Sequence, residues 1–70
     1  MDETKKTGQV VEALPALKFR VDFNDGKDPV FCYLAGRLHK NFIRVVIGDT
    51  VEVVIPETGE IGRIVRRMRM

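Results

Sequence analysis

Apolar and polar residues alternate along this chain in short runs separated by turn signals, the pattern of a small β-domain. Residues 18–23 show the clearest period of two, with Phe19, Val21 and Phe23 on one face and Lys18, Arg20 and Asp22 on the other. Asn24-Asp25-Gly26 follows as a turn, because Asp-Gly accepts the positive φ values of tight hairpins. A first strand is expected over 8–14, centred on Val10 and Val11 and stopped by Pro15. The third, over 30–34, begins just after Pro29, which lacks an N–H, and is apolar on both faces: Val30, Cys32 and Leu34 alternate with Phe31 and Tyr33.

The pattern then breaks at Gly36. Residues 37–41 contain good helix formers but fit barely one turn. Extended character resumes over 42–47, where Ile43, Val45 and Ile47 alternate with Phe42, Arg44 and Val46. Gly48-Asp49 is a turn, 51–55 a strand stopped by Pro56, 57–60 an acidic loop, and 61–67 the last strand, with Ile61, Arg63, Val65 and Arg67 on one face. Each of the six glycines reads as a turn residue. Five strands with a short helical turn between strands 3 and 4 predict an all-β chain with the OB-fold, a five-stranded Greek-key barrel. Closure suits the doubly apolar third strand and removes long unpaired edges. An SH3-like barrel is the rival, with its helical turn before the last strand. The domain is expected over 8–67, preceded by a flexible N-terminus over 1–7 and followed by a short basic tail over 68–70.

Seventy residues form one domain, near the lower limit for a core that folds without metal or disulfide. Cys32 is the only cysteine and His39 the only histidine, too few soft ligands for a metal site. No cofactor is expected. No apolar run approaches the ~18 residues that span a membrane, and residues 1–6 lack a signal peptide's apolar stretch, so a cytoplasmic monomer is expected. Serine is absent, Cys32 sits in an apolar strand, and Glu57 and Glu60 share a short polar loop, where solvated charges explain them better than a catalytic pair. The chain is therefore not expected to be an enzyme.

Charge changes the picture more than composition does. The net charge is only +2, but residues 29–48 hold three basic and no acidic side chains, 49–60 four acidic and no basic, and 61–70 four basic and no acidic. Blocks of this kind create local fields. Arg37, Lys40 and Arg44, with His39, Asn41 and Phe42 between them, form the candidate RNA-binding stretch, since cations engage phosphates and an aromatic ring stacks on an unpaired base. Its alternative is a solvated turn in which Phe42 is core and the cation stems cover its flank. Arg63, Arg66 and Arg67 belong to an arginine-only block, a usage that favours bidentate phosphate or base contacts. Lys18 and Arg20 extend the basic surface from the second strand, and the acidic stretch 49–60 is expected to face away from RNA or to meet a basic protein partner.

These residues resemble bacterial and plastid translation initiation factor one. The likeness runs colinearly through Gly8-Gln9-Val10-Val11-Glu12, Leu14-Pro15, Lys18-Phe19-Arg20-Val21, Asn24-Asp25-Gly26, the stretch Ala35-Gly36-Arg37-Leu38-His39-Lys40-Asn41-Phe42-Ile43-Arg44, then Gly48-Asp49-Thr50-Val51 and Gly62-Arg63-Ile64-Val65. It implies a factor that binds the small ribosomal subunit at the aminoacyl-tRNA site, contacts the decoding region of its RNA and an adjacent ribosomal protein, and assists initiation factors two and three in choosing initiator tRNA and start codon. The loop over 36–44 would then enter the RNA groove. His39 stands where the family usually has arginine and Phe42 where tyrosine is frequent, and the loop over 56–61 lacks the family's usual aromatic and lysine. The alternatives are a generic single-stranded RNA binder of the cold-shock type, for which the aromatics are few, and a protein-interaction barrel with no RNA role.

Overall fold

The computed structural model describes residues 4–41, 43–57 and 61–68, with the His39 side chain excepted. Among these, five strands and one short helix follow the order β1 (Thr4–Leu14), β2 (Lys18–Asp22), β3 (Val30–Leu34), α1 (Gly36–Lys40), β4 (Thr50–Ile55) and β5 (Gly62–Met68). The strands close into a barrel in the order β1-β2-β3-β5-β4. All pairings are antiparallel except β3 with β5, which is parallel and runs from Cys32↔Gly62 to Leu34↔Ile64. With α1 between β3 and β4, this is the OB-fold rather than the SH3-like barrel.

One face of each strand fills the barrel. Val10, Phe19, Val21, Cys32, Leu34, Val51, Val53 and Ile64 form its core, and Leu38 and Val45 pack against them. The period of two in β2 emerges as expected: Phe19 and Val21 are buried, Phe23 is half-buried, and Lys18 and Arg20 point to solvent. Two glycines are packing residues rather than turns. A Cβ on Gly62 would lie 2.6 Å from Val53 Cγ1 and 2.9 Å from Cys32 Sγ, and one on Gly8 would lie 2.6 Å from Val21 Cγ1. So small a barrel has room for only one side chain at these levels, and the glycines yield it to their neighbours.

β1 begins at Thr4, four residues before the expected strand, so residues 4–7 are sheet rather than flexible terminus. Thr4 to Gln9 pair with β4, while Gln9 to Leu14 pair with β2, with a register shift between Val10 and Glu12. One strand thereby serves two neighbours, as closure requires. Lys6 fastens this extension, with its ammonium 3.1 Å from Asp25 Oδ2 and 4.7 Å from the centroid of the Phe23 ring. At the other end β5 includes Met68, the first residue of the expected tail; Arg69 and Met70 lie outside the described residues.

The β1–β2 turn places Ala16 at φ 64° and Leu17 at φ 59°, a left-handed conformation without glycine. Asn24 and Gly26 take positive φ as the Asn-Asp-Gly signal implies. Residues 43–46 join no ladder. Ile43 and Val45 turn inward as expected, but Ile47 is 62% exposed because the chain turns at Gly48-Asp49. There the Asp49 carboxylate accepts from the Val46 N–H (2.9 Å), and Gly48 and Val10 are joined by an N–H···O bond of 2.9 Å.

Candidate nucleic-acid interface

A helix of five residues has no independent stability in water. α1 exists because Leu38, 8% exposed, inserts into the end of the barrel beside Leu34 and Val45. The Leu38 N–H donates to the Ala35 carbonyl (3.0 Å), Asn41 to Arg37 (3.1 Å) and Ile43 to Leu38 (3.0 Å), which closes the turn and returns the chain to the barrel. With Leu38 inward, Arg37, Lys40 and Asn41 are exposed.

The far half of β5 comes up against this turn. The Arg37 guanidinium donates to the Val65 carbonyl at 3.1 Å, and Arg67 Nη1 donates to the carbonyl of Arg44. These two bonds tie α1 and the segment after it to β5. Between them lies a concavity of about 440 Å³ lined by Arg37, Leu38, Asn41, Ile43, Val65, Arg66 and Arg67. Three guanidinium groups around an open, polar-rimmed hollow suit phosphate or a base edge, since each offers a planar fork of donors. A second hollow of about 360 Å³, lined by Ala35, Gly36, Arg37, Arg63 and Val65, continues this surface along β5.

The sequence candidates thus separate into two groups. Arg37, Asn41, Arg66 and Arg67 share the main hollow. Lys40 and Arg44 are exposed beside it without lining it, and Arg44 takes part through its backbone carbonyl. Lys18 and Arg20 belong instead to the outer wall, while Arg63 shares the second hollow with Arg37 and also faces Lys18 across Tyr33. Arg20 lies 3.0 Å from Glu12 Oε1, with its guanidinium carbon 4.9 Å from the centroid of the Phe31 ring. Phe42 and the side chain of His39 lie outside the described residues, as does Glu60. Within the acidic block, Glu52 stands in register opposite Arg66.

Sequence reasoning overlooked Phe31 and Tyr33 as surface residues. They are 43% and 40% exposed, because the barrel interior takes Cys32 and Leu34 from the same strand. The available signal was the doubly apolar strand itself: a closed barrel buries one face only, so one set must lie outside. Cys32, by contrast, is the inert thiol expected, buried and with its pKa raised to about 11 by desolvation.

Among the described residues no helix is long and apolar enough to cross a membrane. No protein-family model matches the chain. Solved structures do. The chain superimposes on YjeQ from Thermotoga maritima with a TM-score of 0.77 over 94% of its own length and 23% of that protein, at 21% identity, which is a likeness of fold. It superimposes on the solution structure of translation initiation factor one from the Wolbachia endosymbiont strain TRS of Brugia malayi with a TM-score of 0.75. There the identity is 33%, over 96% of this chain and 79% of that one. At that identity and coverage, the chain belongs to the translation initiation factor one family.

Proposed function

We propose that this protein acts in translation initiation by occupying the aminoacyl-tRNA site of the small ribosomal subunit. The observation that carries the reading is the convergence of Arg37 and Asn41 from α1 with Arg66 and Arg67 from β5 on one open hollow, in a member of this family. The mechanism is occupancy rather than bond chemistry. Arg37, Lys40 and Arg44 neutralise phosphates of the decoding-region RNA, the loop over 36–44 enters its groove, and the barrel behind it keeps tRNA out. An adjacent ribosomal protein and initiation factors two and three are the further partners, and the protein works as a cytoplasmic monomer without cofactor or catalytic residue.

Rigid backing for the loop supports this reading. An inserted loop must keep its shape against the RNA, and Leu38 in the barrel with the Arg37 and Arg67 bonds to backbone carbonyls supply that stiffness. Phosphate contacts release counterions, so affinity for the subunit should fall steeply between low and moderate salt. Chemical footprinting of small-subunit RNA with and without the protein tests the site. Protection confined to the decoding region is expected; protection elsewhere, or none at low salt, rejects it.

A further inference from the structure

The turn between β2 and β3 carries chemistry that the α1 hollow does not use. Four aspartates lie among the described residues, and each is followed by a different kind of backbone nitrogen. After Asp22 it belongs to Phe23, bulky and half-buried, and after Asp49 to β-branched Thr50. After Asp28 it belongs to Pro29, which has no N–H to lose. Of the four, Asp25 alone precedes glycine. Gly26 has φ 81°, and a Cβ built on it would meet nothing within 4 Å, so the turn stands clear of the barrel there. Its N–H donates to no group among the described residues.

The Asp25 side chain is already folded toward that nitrogen. Its Oδ1 accepts from the Lys27 N–H at 3.1 Å, so the carboxyl group reaches forward across Gly26. An amide nitrogen held beside a carboxyl carbon closes a five-membered ring far faster than two separate molecules react. One influence opposes the reaction. The Lys27 N–H and, after it, the Lys6 ammonium 3.1 Å from Oδ2 lower the Asp25 pKa, which keeps the carboxyl ionised and a poorer electrophile.

We propose that Asp25 is a site of spontaneous covalent modification, isomerising through a succinimide to isoaspartate, and that Lys6 is the guard that slows it. In the first step the Gly26 nitrogen bonds to Asp25 Cγ, and the carboxyl OH leaves with the amide proton as water. In the second, water adds back at one of the two ring carbonyls. Opening at Cγ restores aspartate. Opening at the backbone carbonyl leaves the main chain running through Cγ and frees the former α-carbonyl as a carboxylate. The chain gains a methylene in its path, its mass is unchanged, and water is the sole co-reactant.

The consequence falls on β1. Thr4 to Gly8 pair with β4 and not with β2, and the Lys6–Asp25 pair ties them to the turn. Isoaspartate displaces the carboxylate and lengthens the turn, so that tie is lost and the start of β1 loosens. The turn precedes β3 and α1 follows it, so the site is remote from the α1 hollow and independent of the proposed occupancy of the subunit.

The experiment ages the full chain in warm neutral buffer and digests it with trypsin, which releases residues 21–27 as one peptide. Liquid chromatography with mass spectrometry should find an isomer of that peptide with identical mass and altered retention. An isoaspartyl methyltransferase with labelled S-adenosylmethionine should label the aged chain and not the fresh one. Lys6→Met should speed the isomer's formation about threefold, the scale of one exposed charge pair, and Lys6→Arg should return it to the wild-type rate. Asp25→Glu should abolish it, because its ring would need six members. Circular dichroism confirms that these variants fold. Amide hydrogen exchange at residues 5–7 should quicken as the isomer accumulates, with α1 unchanged. No isomer in the aged chain, a gain of mass that points to Asn24 instead, or an isomer that persists in Asp25→Glu would overturn the site. Equal rates in the wild type and Lys6→Met would remove Lys6 as its guard, and unchanged exchange at residues 5–7 would refute the loosening of β1.

Discussion

The barrel interior and the cap formed by α1 with the far half of β5 are built from the same short chain on different terms. Inside, aliphatic side chains interlock so tightly that Gly62 and Gly8 leave no room for a methyl group. At the cap, one buried leucine and two guanidinium–carbonyl bonds hold a turn whose remaining side chains face solvent. The interior gains from packing, which fails when a methylene is lost. The cap gains from fixed position, and its charges serve no packing purpose. Substitutions in the first region should therefore change stability and reach binding only through unfolding. Substitutions in the second should do the reverse.

The largest effect is expected at Ile64, which is fully buried on β5 opposite Leu34 and Val53. Ile64→Ala should cost about 2–5 kcal/mol in denaturant unfolding, a large share of the stability of a domain this size. A loss below ~1 kcal/mol would mean that the interior is less tightly coupled than its packing implies.

Next is the cap. Arg37→Ala combined with Lys40→Ala should weaken small-subunit binding at least tenfold and flatten its salt dependence, since two phosphate contacts disappear. Unfolding free energy should fall by no more than about 1.5 kcal/mol, the loss of the Arg37–Val65 hydrogen bond, with Lys40 adding little. If both quantities moved together, the division between the two regions would be wrong.

A smaller effect is expected from Cys32. Its pKa is raised from 9.0 to about 11 because burial disfavours the thiolate. The unfolded chain therefore gives up the proton first. The thiol's contribution is complete below pH ~9 and is lost as pH rises toward 11. Thermal midpoints followed from pH 8 to 11 should show this alkaline decline, and Cys32→Ala should lack that component. An identical decline in the variant would assign it to other groups.

The smallest is at the β1–β2 turn, where Leu17 holds φ 59°. Leu17→Gly removes the side-chain strain of the left-handed conformation but adds backbone freedom to the unfolded chain, so a net change within ~1 kcal/mol is expected. A loss of several kcal/mol would show that the exposed Leu17 side chain is a packing contact.

Much of the architecture was legible beforehand because its causes are local. The alternation in β2, the Asn24-Asp25-Gly26 turn and the break at Gly36 are each decided within a few residues by sterics and solvation. The start of β1 was not legible, because Thr4 to Thr7 are ordered by pairing with a strand about fifty residues away. Gly62 looked like a turn because its reason lies in Cys32 and Val53.

By itself, the sequence determined the β periodicity, the order of the elements, the segregation of charge and the resemblance to the initiation factor family, all of which follow from neighbours along the chain. Only the tertiary structure decided which cations meet. Closure of the barrel brings β5 alongside both β3 and α1, so Arg66 and Arg67 join Arg37 in one hollow and Arg63 joins it in the next, with Lys18 across Tyr33 from Arg63. Closure also decided which side of β3 is inside. A barrel buries one face of each strand, and that single constraint exposed Phe31 and Tyr33.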